Sequence, residues 1–446
     1  MGRGNAADGL RKQLHDEFSK IYIFHLRGDQ RTSGELSRKE GGKIFGSGSR
    51  TPIAITFLVK KLDSTEKGQI YFYDIGDYLD RKHKLAIIQR FKSINGIKEE
   101  NNFQLLEPDA NNDWVNQGER SFGKFIQIGD KSKAVNPKVF TNYSLGVATG
   151  RDVWCYNFSV NNLQARIKAF IKFYNTEVKR FGASSKKVSP ESFVIRDLTR
   201  ISWNRNALQD LKKGKEYEFS KANIYKALYR PFSKTNFYFS KQLNAMTYQN
   251  FKLFPNPNTI NRIISVTGIG SKDGLSTIMS DVIADLNLLK GGAQCFPLRI
   301  FEKQEAGDSL FANQSESEDF IVSDVITDDG LQLFLDAYSD KTFKKEDLFY
   351  YIYGLLHSPD YRERFQNNLS KELPRIPAVN SFEDFMAFSK AGRKLGDLHV
   401  NYETVEPFPV TFKEGDLRLA DISDPKSFYR VKKMKFASKQ DKATVF

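Results

Sequence analysis

Apolar positions along this chain change period from one stretch to the next. Over residues 10–20, Leu10, Leu14 and Phe18 recur at four-residue spacing, which predicts a helix with one apolar face. Two compact runs follow, Ile21-Tyr22-Ile23-Phe24-His25-Leu26 and Pro52-Ile53-Ala54-Ile55-Thr56-Phe57-Leu58-Val59. Both are rich in β-branched and aromatic side chains and are bounded by glycine and serine, so both read as strands. A third strand is expected over 69–75 and a helix over 78–91. Between the first two strands runs a long basic, glycine-rich connection that includes Arg31, Arg38, Lys43 and Arg50. Ordered domains rarely hold so long a connection without a use, so it is expected to be functional or disordered.

Further on, residues 101–118 are polar and rich in Asn, Asp and Gly, which suggests a boundary. Leu163, Ile167, Phe170, Tyr174, Val178 and Phe181 then recur at spacings of four and three, predicting a helix over 160–181 capped by Ser159. Arg166, Lys172 and Lys179 fall off that stripe. Residues 191–301 mix short strands, such as 236–239 and 263–266, with turns. After them the pattern is helical over 330–338, 345–357 and 359–369, the last with Ser358 as N-cap and Pro359 at the first helical position. Another helix is expected near Ser381.

With 446 residues the chain is long enough for two or three domains. No apolar run approaches the ~20 residues of a membrane span, and no signal peptide is visible, so a cytoplasmic protein is expected, without membrane partners. Cys155 and Cys295 are too few for a disulfide framework or a four-thiolate zinc site. The net charge is +14. Residues 302–330 alone carry −8, leaving +22 for the remainder. Residues 161–190 and 426–443 each hold seven basic side chains and one acidic one. Such clustering favours a polyanion, nucleic acid above all, over a merely solvated lysine-rich surface. The five histidines show no metal-ligand pairing, no Gly-x-Ser-x-Gly elbow is present, and Asp328-Asp329 sits in a charge run.

A series of motifs resembles one family in order. These are Asp8-Gly9-Leu10-Arg11-Lys12, Leu26-Arg27-Gly28, the residues from Arg31 to Glu35, those from Gly41 to Arg50, and those from Phe57 to Lys61. Gly146-Val147-Ala148-Thr149-Gly150-Arg151-Asp152, Ile201-Ser202-Trp203-Asn204-Arg205 and Leu228-Tyr229-Arg230-Pro231-Phe232 continue it. Gln294-Cys295-Phe296-Pro297-Leu298, Tyr353-Gly354-Leu355-Leu356-His357-Ser358-Pro359 and Leu373-Pro374-Arg375-Ile376-Pro377 complete it. Together they resemble the C-terminal part of type ISP restriction-modification enzymes, single polypeptides that join an adenine-N6 DNA methyltransferase to a restriction enzyme.

The resemblance implies a mixed α+β fold: the tail of a Rossmann-like methyltransferase sheet over 1–100, then a β-rich target-recognition domain over 101–301. An acidic linker at 302–329 and a helical C-terminal part at 330–446 would follow. For the parent it implies S-adenosylmethionine as methyl donor, and ATP with magnesium for translocation and cleavage. The methyltransferase, translocase and nuclease parts would lie N-terminal of this chain. An adenine methyltransferase needs an Asn/Asp-Pro-Pro-Tyr/Phe loop to hold the flipped base. Asn136-Pro137-Lys138 and Asn256-Pro257-Asn258 lack its second proline and its aromatic residue. Thr267-Gly268-Ile269-Gly270-Ser271-Lys272 reads as a hairpin turn rather than a phosphate loop. The chain is therefore expected to hold no cofactor and no catalytic residue, and to supply recognition of double-stranded DNA.

Arginine reads guanine bidentately or clamps phosphate. The candidates are Arg151 with Thr149 beside it, Arg205, Arg230 and Lys234, and behind them Arg31, Arg38, Lys43 and Arg50. Each has a structural alternative: Arg151-Asp152 as an ion pair, Arg230-Pro231-Phe232 as a packed corner. Two other roles compete with the main reading, a stand-alone specificity subunit and a non-catalytic scaffold for RNA or an acidic protein.

Overall fold

The computed structural model describes residues 7–32, 34–46, 48–61, 63–100, 102–131, 137–184, 188–271, 274–303, 320–338, 340–409, 411–412, 424, 438 and 444–445. Most of the expected acidic linker and most of the basic run 426–443 lie outside the described residues. Within them the chain is a mixed α/β structure. Residues 1–396 form one compact unit and 397–446 a second.

The first sheet has the Lys20–Arg27 strand near its centre. Ile53–Val59 pairs with it antiparallel at the edge, Gln69–Asp74 pairs parallel on the other side, and Gln104–Leu106 closes the sheet. Alternation along the central strand divides the core between two faces. Ile21 and Ile23 pack with Ile70, Trp114, Leu14 and Phe18 on one face. Phe24 and Leu26 meet Ile44, Ile75, Phe91 and Ile97 on the other. The Asp8–Glu17 helix departs from its expected face, because Leu10 is half exposed while Arg11 is buried. Arg11 donates from Nε to the Asn112 carbonyl at 2.7 Å and pairs with the buried Asp113 carboxylate. Asp113 also receives Lys371 Nζ at 2.6 Å. One carboxylate thus ties the first helix and the polar 101–118 stretch to the helical part downstream.

Lys84 ties the basic glycine-rich connection, at Glu40 and Gly42, to the following helix. This fully buried lysine, on the Arg81–Phe91 helix, donates to the carbonyls of Glu40 at 2.7 Å and Gly42 at 2.9 Å. The paired glycines make that approach possible. A Cβ on Gly41 would sit 2.1 Å from the Leu79 carbonyl oxygen, and one on Gly42 would sit 2.6 Å from the Arg81 nitrogen.

Two further four-stranded sheets form the middle of the chain. One runs in the order Ile283–Ala284, Ile224–Arg230, Ser233–Tyr238, Tyr156–Asn157, and the other Thr277–Ser280, Ile263–Val266, Gln294–Pro297, Ser144–Leu145. The Thr267–Ser271 segment links two antiparallel strands, as a hairpin turn should. A three-stranded sheet places Arg375–Ile376 beside Ile126–Gly129, whose other edge pairs with Lys138–Phe140. The helical part therefore shares a sheet with residues far upstream.

The predicted 160–181 helix is present as Val160–Gly182, and Ser159 accepts from the Asn162 N–H at its N-cap. Lys345–Leu356 is buried from Leu348 to Leu356, as befits a helix apolar on all sides. The helix expected over 359–369 is broken instead into Pro359–Arg364 and Gln366–Leu369. At the break Phe365 leaves helical geometry (φ −104°, ψ 17°), and its ring packs 5.1 Å from Phe122 and 5.6 Å from Phe125. Core packing overrides helix continuity there. The Phe382–Val400 helix crosses into the second unit, which adds a 3₁₀ turn at Tyr402–Thr404 and a short parallel pair, Thr411–Phe412 with Thr444–Val445.

Candidate nucleic-acid interface

Three segments meet around Ala245. The first is the Thr149-Gly150-Arg151 turn, where Gly150 has φ +63° and any Cβ would lie 3.2 Å from that of Ala245. The second is the start of the Arg205–Lys212 helix, where Asn204 caps the Ala207 N–H at 2.9 Å and Asn206 donates to the Ala245 carbonyl at 2.9 Å. The third is the loop beyond Ala245, bridged to the turn by two Ala148–Met246 backbone hydrogen bonds of 2.9 Å.

Thr149 is buried and braces the turn. Its hydroxyl accepts from the Arg151 N–H at 3.0 Å and donates to the Asp152 carboxylate. Arg151 is also buried, 4% exposed, with Nε and both Nη atoms lacking any hydrogen-bond partner. Its guanidinium carbon lies 5.1 Å from the centroid of the Phe170 ring. Burial pulls its pKa down, and the thiol and phenol groups of Cys155, Tyr217 and Tyr174 oppose this only in part. Arg205 has the opposite setting. It is exposed, and it has no hydrogen-bonding or ionic partner among the described residues.

Arg230 and Lys234 flank the hairpin tip and are both engaged. Arg230 Nη1 is 2.9 Å from Asp285, its guanidinium covers the Tyr229 ring at 3.9 Å, and Asp152 lies 3.9 Å away. Lys234 pairs with Asp281 at 2.9 Å. Asp285 organises this corner. It is 1% exposed, and besides Arg230 it accepts from the Tyr156 hydroxyl at 2.9 Å and the Asn287 N–H at 2.8 Å. Burial raises its pKa, against these donors and the Arg230 charge. No pattern around Asp285 marks this role, since its partners come from distant strands.

In the first sheet's loop, Arg31 is held by Asp29 at 3.1 Å, Arg38 pairs with Glu35, and the exposed Arg50 reaches the Gln30 carbonyl at 3.2 Å. Lys43 is half-buried and has no hydrogen-bond or salt-bridge partner among the described residues.

A cleft of about 800 Å³ runs beside the long helix, lined by Trp154, Phe173, Arg166, Lys172, Arg180 and Arg200, among others. Its basic lining suits a phosphate backbone. Glu177 anchors it: this buried carboxylate accepts from Arg180 Nε at 2.8 Å, Arg180 Nη2 at 2.6 Å and the Ile195 N–H at 2.9 Å. Burial alone would raise its pKa, but the Arg180 and Ile195 hydrogen bonds outweigh that and hold it below the usual carboxylate range. Stabilisation from a depressed carboxylate is complete above the unfolded-chain value of about 4.3 and fades as pH falls through the folded one. Glu177→Gln should therefore cost about 1–3 kcal/mol near neutral pH. In urea titrations the gap from wild type should close below roughly pH 4; a gap independent of pH would assign Glu177 a packing role only.

Among the described residues no group of three or more His, Cys, Asp or Glu side chains could hold a metal ion. Both cysteines are buried, and burial pushes each thiol up to about 12, so neither is a ready nucleophile. The Gly268 turn gives no cradle for a nucleoside cofactor, because its backbone packs directly on Gly291 and Gly292.

Residues 138–446 match the model of the Type ISP C-terminal specificity domain. Three solved structures are similar along nearly the whole chain. A nuclease-deletion mutant of the Type ISP restriction-modification enzyme LlaGI, in complex with a DNA substrate mimic, is 36% identical over 97% of this chain, with a TM-score of 0.71. The ATP-dependent Type ISP enzyme LlaBIII bound to DNA is 31% identical over 100%, with a TM-score of 0.75. A DrdV–DNA complex is 30% identical over 91%, with a TM-score of 0.70. The chain spans 31%, 27% and 37% of those three proteins respectively. No curated protein sequence matches it.

Proposed function

Because the chain belongs to the Type ISP C-terminal specificity domain family, we propose that it recognises a specific sequence in double-stranded DNA through the surface around Ala245. The observation that carries this reading is Arg205, an exposed guanidinium without a hydrogen-bonding or ionic partner among the described residues, on a helix start hydrogen-bonded to Ala245, which packs against the Thr149–Arg151 turn. Donors from that helix start would orient a phosphate, and Arg205 would reach a base edge. The basic cleft along the long helix would track the backbone and supply most of the affinity.

In the parent enzyme this recognition would direct adenine-N6 methylation from S-adenosylmethionine, and ATP-driven translocation and cleavage, all in the cytoplasm. The methyltransferase, translocase and nuclease parts of the parent would be the chain's partners. The Ile53–Val59 edge strand, with Phe57, Leu58 and Val59 exposed, supports a sheet that continues into the methyltransferase part.

The test is enrichment from a randomised duplex pool with the 446-residue chain, followed by binding assays on the recovered site. One recurring site is expected, with Arg205→Ala binding it about 10- to 100-fold more weakly. A pool that stays random would end this reading in favour of a scaffold with a basic surface.

A further inference from the structure

Tyr248 stands apart from the rest of this surface. Its φ is +45°, in the left-handed region where a bulky aromatic residue is a real outlier and where Gly or Asn would sit more easily. The flanks enforce that conformation. Met246 is locked by its two backbone bonds to Ala148, while Gln249 is held by the Ser144 hydroxyl at 3.1 Å from its N–H and by Asn142 at 2.6 Å from its side chain. Tyr248 is 37% exposed, and neither its ring nor its hydroxyl has a partner among the described residues. Met246 beside it is 51% exposed. Strain held by an over-determined loop, for side chains left partly exposed and without a polar or ring partner among the described residues, points to an external partner.

We infer that Met246 and Tyr248 form a wedge that enters the base stack of the recognised duplex, with the tyrosine ring lying on an unstacked base. Apolar side chains open base steps in this way, and aromatic rings stack on the bases so exposed. Arg205 lies on the helix start bonded to the same loop, so a charged reader and an apolar wedge would act on neighbouring base pairs. The wedge rests on the duplex-recognition reading above and adds a second mode of readout to it: the energy of deforming the step it enters.

The experiment places 2-aminopurine at successive positions of the enriched site and records fluorescence on binding of the full chain. Wild type is expected to raise the signal several-fold at one step. Tyr248→Asn, which suits the backbone better, should melt at or above the wild-type temperature. It should bind the site about tenfold more weakly or worse, in line with the loss of a base–aromatic stack, and give no signal. Tyr248→Phe should keep both. A signal or an affinity that survives in Tyr248→Asn overturns the wedge, as does a wild-type complex with no unstacked step, while the recognition reading stands. A chain that enriches no site overturns both.

Discussion

Arg151→Met is expected to make the protein more stable and less specific at once. Arg151 is 4% exposed, and none of its guanidinium nitrogens finds a hydrogen-bond partner among the described residues. Burying an unpaired cation costs several kcal/mol. The Phe170 face at 5.1 Å returns about 2 kcal/mol at most, and the nearby thiol and phenol groups offset the cost only in part. Methionine is unbranched and close in length, and it fills the same space without a charge. Its gain should be about 1–3 kcal/mol, seen as a rise of a few degrees in thermal midpoint. The cost falls on binding. The turn that carries Arg151 also carries Asp152, which joins Arg230 and Tyr229, so a change at Arg151 is passed to the other residues of this corner. Affinity for the enriched duplex should drop by at least ~10-fold, with non-specific binding changed far less. Lower stability in Arg151→Met would show that the charge is already satisfied in the folded chain.

Asp113→Ala should produce the largest loss of stability, about 3–5 kcal/mol by denaturant unfolding. The substitution removes the carboxylate between Arg11, whose side chain is 1% exposed, and Lys371. Arg11 and Lys371 then both lose the carboxylate they share. Replacing the acid together with its buried partner, as Arg11→Met with Asp113→Leu, should recover much of the loss, because the penalty lies in the orphaned charge rather than in lost packing. A single-variant cost below about 1 kcal/mol would place the pair among weak surface bridges.

How far the structure was legible in the sequence depended on the range of the forces involved. The long helix and its Ser159 cap follow from spacing within one segment, and they form as expected. So does the Lys20–Arg27 strand. The basic loop stood out by its composition, but nothing local pointed to Lys84, the lysine buried beneath it. The break at Phe365 was hidden for the same reason, since Phe122 and Phe125, which draw its ring inward, lie far upstream.

The site shows the same division. Arg151, Arg205, Arg230 and Lys234 could be chosen by residue type and motif. Their different fates could not. Asp285 and Asp281 engage Arg230 and Lys234, whereas Arg205 is left exposed and Arg151 is buried without a hydrogen-bond partner. Met246 and Tyr248 carry no motif at all and stand out only through exposure and backbone geometry.

The central claim is sequence-specific recognition of duplex DNA by this chain. Its most direct measure is the ratio of dissociation constants for the enriched duplex and a scrambled duplex of equal length, at about 0.15 M salt. The account predicts a ratio of at least ~10³. It also predicts that both affinities weaken as salt rises, through the shared phosphate contacts. A ratio near one across the salt series would contradict it and leave only a basic surface.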